Sequence, residues 1–177
     1  MQAPVCTHRL AHPHAITDKV WQWLDDIPDP EIPVISVIDL GIIRAVDWAG
    51  ATCIVTVTPT YSGCPAMPQI SEQIRDALAA HGLDVEVRTQ LAPAWTTDWM
   101  TERGKARLAG YGIAPPAQKV IDISGITRRH AIPAPEVACP HCGSLHTRVA
   151  SQFGSTACKA LYRCDDCHEP FDYFKAH

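Results

Sequence analysis

Two Cys-x-x-Cys pairs near the end of the chain constrain its fold more than any other feature. Cys139 and Cys142 form the first pair, and Cys164 and Cys167 form the second, with about twenty residues between them. Each pair is typical of a tight turn that presents two thiols to one side, and two such turns can close around one tetrahedral zinc ion. Two disulfides are the alternative, but the chain carries no secretion signal that would favour them. The spacing predicts a structural four-cysteine zinc ribbon, whose closed coordination does not activate water.

Composition excludes several classes of function. The chain has 177 residues, of which 46% are hydrophobic, so it can bury a core, whereas a ribbon of forty-odd residues needs its metal to fold. A net charge of −4 argues against a general nucleic-acid or anionic-membrane binder. No apolar run is long enough to span a bilayer. Eight cysteines indicate metal chemistry in a reducing compartment, and we therefore expect a cytoplasmic protein.

The order of periodic segments predicts an α/β (α+β) chain. We expect a small mixed-sheet domain with two or three helices, followed by a small all-β ribbon. The predicted divisions are a flexible lead-in containing Cys6 and three histidines (1–14), the α/β domain (15–112), a linker with a short strand at Val120–Ile123 (113–135), and the ribbon (136–177).

Local signals predict the individual elements. They are a helix capped by Thr17, a hairpin of strands 42–48 and 52–58, a helix with Pro65 in its first turn that ends at Gly82, a half-buried strand 83–91, a helix from Thr97 or Asp98 to Leu108, and ribbon strands 146–152 and 159–163. Cys53 lies on the apolar face of the hairpin and is predicted to be a buried core residue.

Cys64 is the candidate reactive thiol. It precedes Pro65 in a Gly-Cys-Pro loop, which predicts that it caps the following helix. Free backbone N–H groups and the helix dipole would then lower its pKa and make it a better metal ligand or nucleophile. The alternative is a cysteine that caps the helix and does nothing more.

Three acidic residues are candidates for the same site. Asp29 and Glu31 lie on a turn stiffened by three prolines, and Asp39 is the single acid in an apolar stretch before Gly41. They can shape the Cys64 pocket or contact a client protein. Ordinary turn chemistry and solvation are the alternative.

Several short motifs together resemble a known family. They are Asp29-Pro30-Glu31, Asp39-Leu40-Gly41, Thr58-Pro59, Cys64-Pro65 and Pro93-Ala94-Trp95. The region that contains them, about residues 15–110, resembles the iron–sulfur-assembly domain family that includes SufT. With the ribbon added, and with the runs 153–164 and 169–177, the chain resembles the PaaD-like accessory proteins of the phenylacetyl-CoA epoxidase system.

The resemblance implies an accessory protein rather than an enzyme. It implies structural Zn²⁺, a transient iron or iron–sulfur cargo, and as partners the oxygenase and reductase components or iron–sulfur assembly proteins. The paired Glu-x-x-His motifs of a di-iron oxygenase and the glycine loop of a reductase are missing from the sequence. The rival function is a non-catalytic zinc-ribbon adaptor that scaffolds the oxygenase components.

The ribbon offers two further candidates. A cluster needs several thiolates, so binding one at Cys64 would require a homodimer, a partner, or Cys158 reaching across; the alternative for Cys158 is packing beside the zinc. The aromatic residues Phe171, Tyr173 and Phe174 are either docking anchors or the small core of the ribbon.

Overall fold

The computed structural model describes residues 13–116 and 136–176. Its elements are α1 (Pro13–Asp25), β1 (Ile43–Ala49), β2 (Thr52–Val57), α2 (Met67–Ala79), β3 (Asp84–Thr89), a 3-10 helix (Thr97–Trp99), α3 (Glu102–Gly110), β4 (Ile113–Ala114), β5 (Thr147–Ser151), β6 (Lys159–Cys164) and β7 (Pro170–Phe174). The predicted lead-in up to residue 12, including Cys6, and the predicted strand Val120–Ile123 lie outside the described residues. Within the described ranges, no helix is long and apolar enough to cross a bilayer.

The first sheet has the order β1-β2-β3. β1 and β2 form the predicted antiparallel hairpin, and Gly50 takes a φ of +62° in its turn. β3 runs parallel to β2, because α2 provides the crossover connection between them. Cys53 on β2 is fully buried in the core, which confirms its predicted structural place.

Three helix starts differ from the predictions. α1 begins at Pro13, so Thr17 lies inside the helix, where its hydroxyl accepts a hydrogen bond from Trp48 Nε1 (3.0 Å) instead of capping. α2 begins at Met67 with Ala66 as its N-cap, which leaves Cys64 and Pro65 in the preceding loop. α3 is capped by Thr101, whose Oγ1 accepts from the backbone N–H of Gly104.

The ribbon sheet extends into the first part of the chain. Its strand order is β4-β7-β6-β5, and β4 pairs in parallel with β7 through Ile113 and Ala114. Those two residues follow α3 directly and belong to the segment predicted to be linker. The sheet therefore ties the α/β unit and the ribbon together.

Side chains of the ribbon also complete the core of the α/β unit. Phe174 (1% exposed) and Cys158 (5% exposed) belong to the main hydrophobic cluster. Trp95 packs edge-on against Phe174, with ring centroids 6.1 Å apart, and its Nε1 donates to the carbonyl of Leu40 (3.1 Å). A second core within the ribbon contains three further aromatic residues: Tyr162, Phe171 and Tyr173. Of the two roles expected for Phe171, Tyr173 and Phe174, their burial supports the core role and contradicts the docking role.

Gly41 lies where no side chain fits. Its φ is +73°, and a Cβ built on it would lie 2.2 Å from the backbone oxygen of Trp99. We expect Gly41→Ala to lower the free energy of unfolding by about 3 kcal/mol, since it adds steric overlap to an unfavourable backbone conformation. Chemical denaturation measures this loss.

Gly82 provides the matched control. It has a similar φ of +77°, but nothing lies within 4 Å of a Cβ built on it. Gly82→Ala should therefore cost only the backbone penalty, about 1 kcal/mol. Equal losses in the two variants would contradict the close packing of Gly41 against Trp99.

Candidate functional site

The four ribbon cysteines converge as the sequence predicts. The sulfur atoms of Cys139, Cys142, Cys164 and Cys167 all lie within 4.8 Å of one another. Cys139 Sγ is 3.7 Å from Cys167 Sγ, and Cys142 Sγ is 3.6 Å from Cys164 Sγ. Zinc–sulfur bonds of about 2.3 Å in a tetrahedron place neighbouring sulfurs about 3.8 Å apart. The donor set and spacing therefore fit a zinc ion held by four thiolates.

Two matching turns hold these thiols. The residue after each pair has a left-handed backbone: Gly143 with a φ of +76° and His168 with a φ of +65°. The backbone N–H of Cys167 donates to Cys164 Sγ (3.5 Å), and this bond helps to hold the pKa of Cys164 at about 7. His168 thus serves the turn, and His146 Nδ1 lies 3.3 Å from Asp166 at the surface. Neither histidine replaces a cysteine in the four-sulfur group.

A second site lies between the α/β unit and the ribbon. It is a cavity of about 10 Å³, measured as the space open to the centre of a water-sized sphere. Its polar or ionisable lining residues are Asp29, Glu31, Thr60, Cys64 and Cys158, and the others are Ile32, Leu40, Ile42, Met67, Ile70 and Phe174. We call this space the interunit cavity. Three of the predicted site residues, Cys64, Asp29 and Glu31, meet there, together with Cys158.

The position and the pKa of the Cys64 thiol differ from the prediction. The loop places it three residues before α2, half-buried, and burial raises its pKa above the ordinary value. Hydrogen bonds from the backbone of Ala66 and the side chain of Thr60 oppose that shift, while the charges of Glu31 and Asp29 add to it. The predicted lowering of the Cys64 pKa is therefore wrong.

Cys158 lies inside the interunit cavity rather than beside the zinc ligands. It starts the segment that leads into β6, is 5% exposed, and has Thr156 Oγ1 3.0 Å from its sulfur. Burial raises its pKa, and the charges of Glu31 and Asp29 add to that rise. The expectation that it packs beside the metal site is corrected, because the strand carries it to the face that meets the α/β unit.

The two acids of the proline turn have unequal surroundings. Asp29 is 6% exposed, and its Oδ1 accepts from the backbone N–H groups of Glu31 (2.9 Å) and Ile32 (2.8 Å). Burial raises the pKa of both Asp29 and Glu31. Lys159, which is buried and lies 3.3 Å from Asp172, supplies the nearby positive charge. The turn thus places the carboxyl groups of Asp29 and Glu31 at the cavity, with the ammonium group of Lys159 as the nearby positive charge.

Asp39 occupies a separate site. Its side chain is fully buried, and Oδ1 accepts from Thr101 Oγ1 (2.7 Å) and Arg103 Nε (2.8 Å), while Oδ2 accepts from Arg107 Nη1 (2.7 Å). Burial alone would raise its pKa, but these hydrogen bonds and both guanidinium charges outweigh burial and hold the pKa below the usual range. The geometry thus differs from the expectation that Asp39 shapes the Cys64 pocket, since its carboxylate joins α3 to the loop before β1.

Sequence reasoning missed Arg103, Arg107 and Lys159. The two arginines stand at i and i+4 on α3, where like charges repel unless an acid lies between them. The i, i+4 spacing of these two arginines therefore indicates a buried carboxylate partner. Lys159 had no such signal, because a lysine next to a cysteine in a strand is ordinarily solvated.

Two family models match separate parts of the chain. Residues 17–89 match the iron-sulfur cluster assembly protein family, and residues 125–175 match the PaaD zinc beta ribbon domain. The first match contains Asp29, Glu31, Asp39 and Cys64, and the second contains the four zinc ligands together with Cys158.

Curated relatives are similar over different lengths. The chain is 52% identical to a putative subunit of 1,2-phenylacetyl-CoA epoxidase from Escherichia coli K12, over 89% of this chain and 91% of that protein. It is 35% identical to the Fe-S protein maturation auxiliary factor YitW of Bacillus subtilis, over 53% of this chain and 94% of that protein. It is 36% identical to the Fe-S protein maturation auxiliary factor SufT of Staphylococcus aureus, over 45% of this chain and 93% of that protein.

A solved structure is similar to the α/β unit. The crystal structure of a domain of unknown function, DUF59, from Bacillus anthracis aligns with a TM-score of 0.50 and 25% sequence identity. The alignment covers 54% of this chain and 92% of that one. The mixed α/β fold with a C-terminal zinc ribbon therefore has a counterpart for its first part among known structures.

Proposed function

The chain belongs to the family of PaaD-like phenylacetyl-CoA epoxidase subunits, and on that basis we propose that it matures an iron or iron–sulfur centre of such an epoxidase. Two sets of similarity support a maturation or accessory role: the epoxidase subunit over most of the chain, and Fe-S protein maturation auxiliary factors over the α/β unit. The relatives that share this unit are named as auxiliary factors, which fits a protein that does no catalysis of its own.

The observation that supports this function is the half-buried thiol of Cys64 at a small cavity. It lies within the segment that matches the iron-sulfur cluster assembly family, next to two carboxyl groups. Thiolates and carboxylates together suit iron in either a mononuclear or a cluster form. In this proposal Cys64 exchanges its proton for iron cargo and passes that cargo to the client.

The ribbon has a separate part in the proposal. Four thiolates close the coordination of its zinc, so the metal holds the ribbon fold and takes no part in transfer. The partners are the oxygenase and reductase components of the epoxidase system or general iron–sulfur assembly proteins. A homodimer is one way to present a second Cys64 to a shared cluster.

The proposed compartment is the cytoplasm. All seven cysteines of the described residues are unpaired, including the exposed Cys142. Thiols that must bind zinc or carry iron need to stay reduced, which cytoplasmic conditions favour.

Producing the epoxidase components together with this chain tests the function. With Cys64→Ser we expect the iron content and the activity of the client to fall at least about tenfold, while the protein still copurifies with its partners. Iron analysis of the purified client and its turnover of phenylacetyl-CoA are the measurements.

The matched control is Cys53→Ala, which removes a thiol that is buried in the core and lies outside the cavity lining. This variant should leave client iron unchanged. Full client iron and activity with Cys64→Ser would exclude carriage at Cys64 and would support the adaptor function instead, in which the ribbon scaffolds the oxygenase components.

A further inference from the structure

Strand β3 is an open edge of the first sheet. The order β1-β2-β3 places it at one end, and within residues 13–116 and 136–176 the only elements that contact it are β2 and α2. Val85 and Val87 pack against the main core, yet both are only half-buried. The row of backbone N–H and C=O groups along such an edge can pair with a strand of another chain.

The hydrogen bonding of β3 to β2 shows which backbone groups face outward. The backbone N–H of Gln90 donates to the carbonyl of Val57 on β2 (2.8 Å). Backbone groups of successive strand residues point to alternate sides, so those of the other even-numbered residues of β3 also point toward β2. The groups that point away from β2 belong to the residues between them: Val85, Val87 and Thr89.

A second copy of β3 fits this edge in an antiparallel register centred on Val87. A two-fold axis there pairs Val87 with itself and Val85 with Thr89, and these are the residues whose backbone groups point outward. Glu86 of each copy then lies opposite Arg88 of the other, in a non-hydrogen-bonded pair with Cα atoms about 4.5 Å apart. Both side chains are exposed, and within one chain Arg88 Nε lies 2.7 Å from Glu86 Oε1. The charged groups of the two copies therefore alternate in sign.

The same charges exclude the neighbouring registers. A shift of the two-fold axis to Glu86 would place two glutamates opposite each other, and a shift to Arg88 would do the same with two arginines. Like charges directly opposite each other destabilise a strand pair. An axis between two residues would set outward-facing backbone groups against residues whose groups already point toward β2. The sequence of β3 is therefore self-complementary in one register.

Apolar residues just beyond the ends of β3 support this register. Leu91 is 59% exposed, and Leu83 is half-buried against the main core. If the pairing continues past both ends of the strand, Leu91 of one copy lies opposite Leu83 of the other, on the core face of the sheet. The pairing thus covers one of the four large hydrophobic side chains that are exposed among the described residues.

We propose that two copies of this chain dimerise by antiparallel pairing of β3, which joins their three-stranded sheets into one continuous sheet. Two paired strand edges bury less than the 800 Å² or so per partner of a standard interface, so we expect a weak dimer with a dissociation constant of about 10–100 µM. The inference does not depend on the proposed function, since no residue of β3 lines the interunit cavity.

Sedimentation equilibrium of the full-length, zinc-loaded protein over a range of concentrations tests the inference. We expect a monomer–dimer equilibrium that weakens as the salt concentration rises. Glu86→Arg and Arg88→Glu should each weaken dimerisation at least about tenfold, because each substitution sets like charges opposite each other twice in the dimer.

Two combinations of these substitutions should restore the dimer. The double variant Glu86→Arg/Arg88→Glu again sets opposite charges against each other. An equimolar mixture of the two single variants should form a heterodimer, since one chain then carries two arginines along its edge and the other carries two glutamates. Neither chain in that mixture regains the contact between positions 86 and 88 within one chain, so a heterodimer reports pairing between chains.

Asp18→Arg is the matched control for a reversed charge. Asp18 is exposed on α1, which does not contact β3, so this variant should dimerise as the unmodified protein does. The proposal is overturned by an unmodified protein that stays monomeric at about ten times the expected dissociation constant. Unchanged dimerisation of both single variants, or a mixture that forms no heterodimer, would overturn it as well.

Discussion

Removal of the ribbon metal is expected to unfold residues 136–176 and to destabilise the α/β unit as well. The small core of the ribbon, with seven buried residues of its own and Ala114 of β4, does not offset the chain entropy without a metal. Loss of the ribbon also withdraws Phe174 from the main core, and losing the burial of a phenylalanine costs about 3 kcal/mol or more. Circular dichroism and limited proteolysis before and after treatment with a strong chelator would measure both effects.

Two serine variants distinguish the loss of a zinc ligand from the loss of another ribbon thiol. Cys167→Ser removes a predicted zinc ligand, whereas Cys158→Ser changes a ribbon cysteine outside the four-sulfur group. We expect cleavage within the ribbon and zinc loss only in the first variant. A chelated protein whose ribbon still resists proteolysis would contradict the metal-dependent fold.

Replacement of Asp39 by alanine should cost about 4 kcal/mol in the free energy of unfolding. The carboxylate accepts three side-chain hydrogen bonds, from Thr101, Arg103 and Arg107, and bonds to charged groups contribute about 1.5–3 kcal/mol each. We place the total just below the lower end of that sum because both arginines are almost half exposed, and water partly replaces their lost partner. Urea denaturation would measure the change.

The same carboxylate predicts how stability depends on pH. Its pKa is held below the usual value in the folded protein, so the stabilisation is complete above the unfolded pKa of about 4 and is lost as the pH falls through the folded pKa. Asp39→Ala should therefore lose less stability on acidification than the unmodified protein does. Asp47→Ala, at an exposed position on β1, is the control and should retain the acid dependence. Equal acid sensitivity in all three proteins would contradict this assignment.

The zinc ligands and the hairpin could be predicted because both depend on signals close together in the sequence. The two turns of the ribbon each lie within five residues, and the strands β1 and β2 follow one another through Gly50. The fold class and the buried place of Cys53 follow from the same local periodicity.

The second site depends on contacts that local patterns do not encode. Cys64 and Cys158 line one cavity only because β4 and Phe174 dock the ribbon on the α/β unit. The prolines of the segment that contains β4 predict a linker there instead. Burial likewise decides the direction of the Cys64 pKa shift. It raises the pKa and outweighs the opposing effect of the backbone N–H groups that the sequence predicted. The partners of Asp39 lie 62–68 residues away along the chain.

The two-residue strand β4 limits how this protein can be divided or could have been assembled in evolution. If the ribbon were cut away from the residues that precede it, it would lose Ile113 and Ala114. Strand β7 would then become the edge strand of its sheet. An unpaired edge of that kind invites pairing with other chains and aggregation. The similarity to YitW covers only 53% of the chain. A ribbon joined to a domain of that length would need, besides its cysteines, a host segment able to cover that edge.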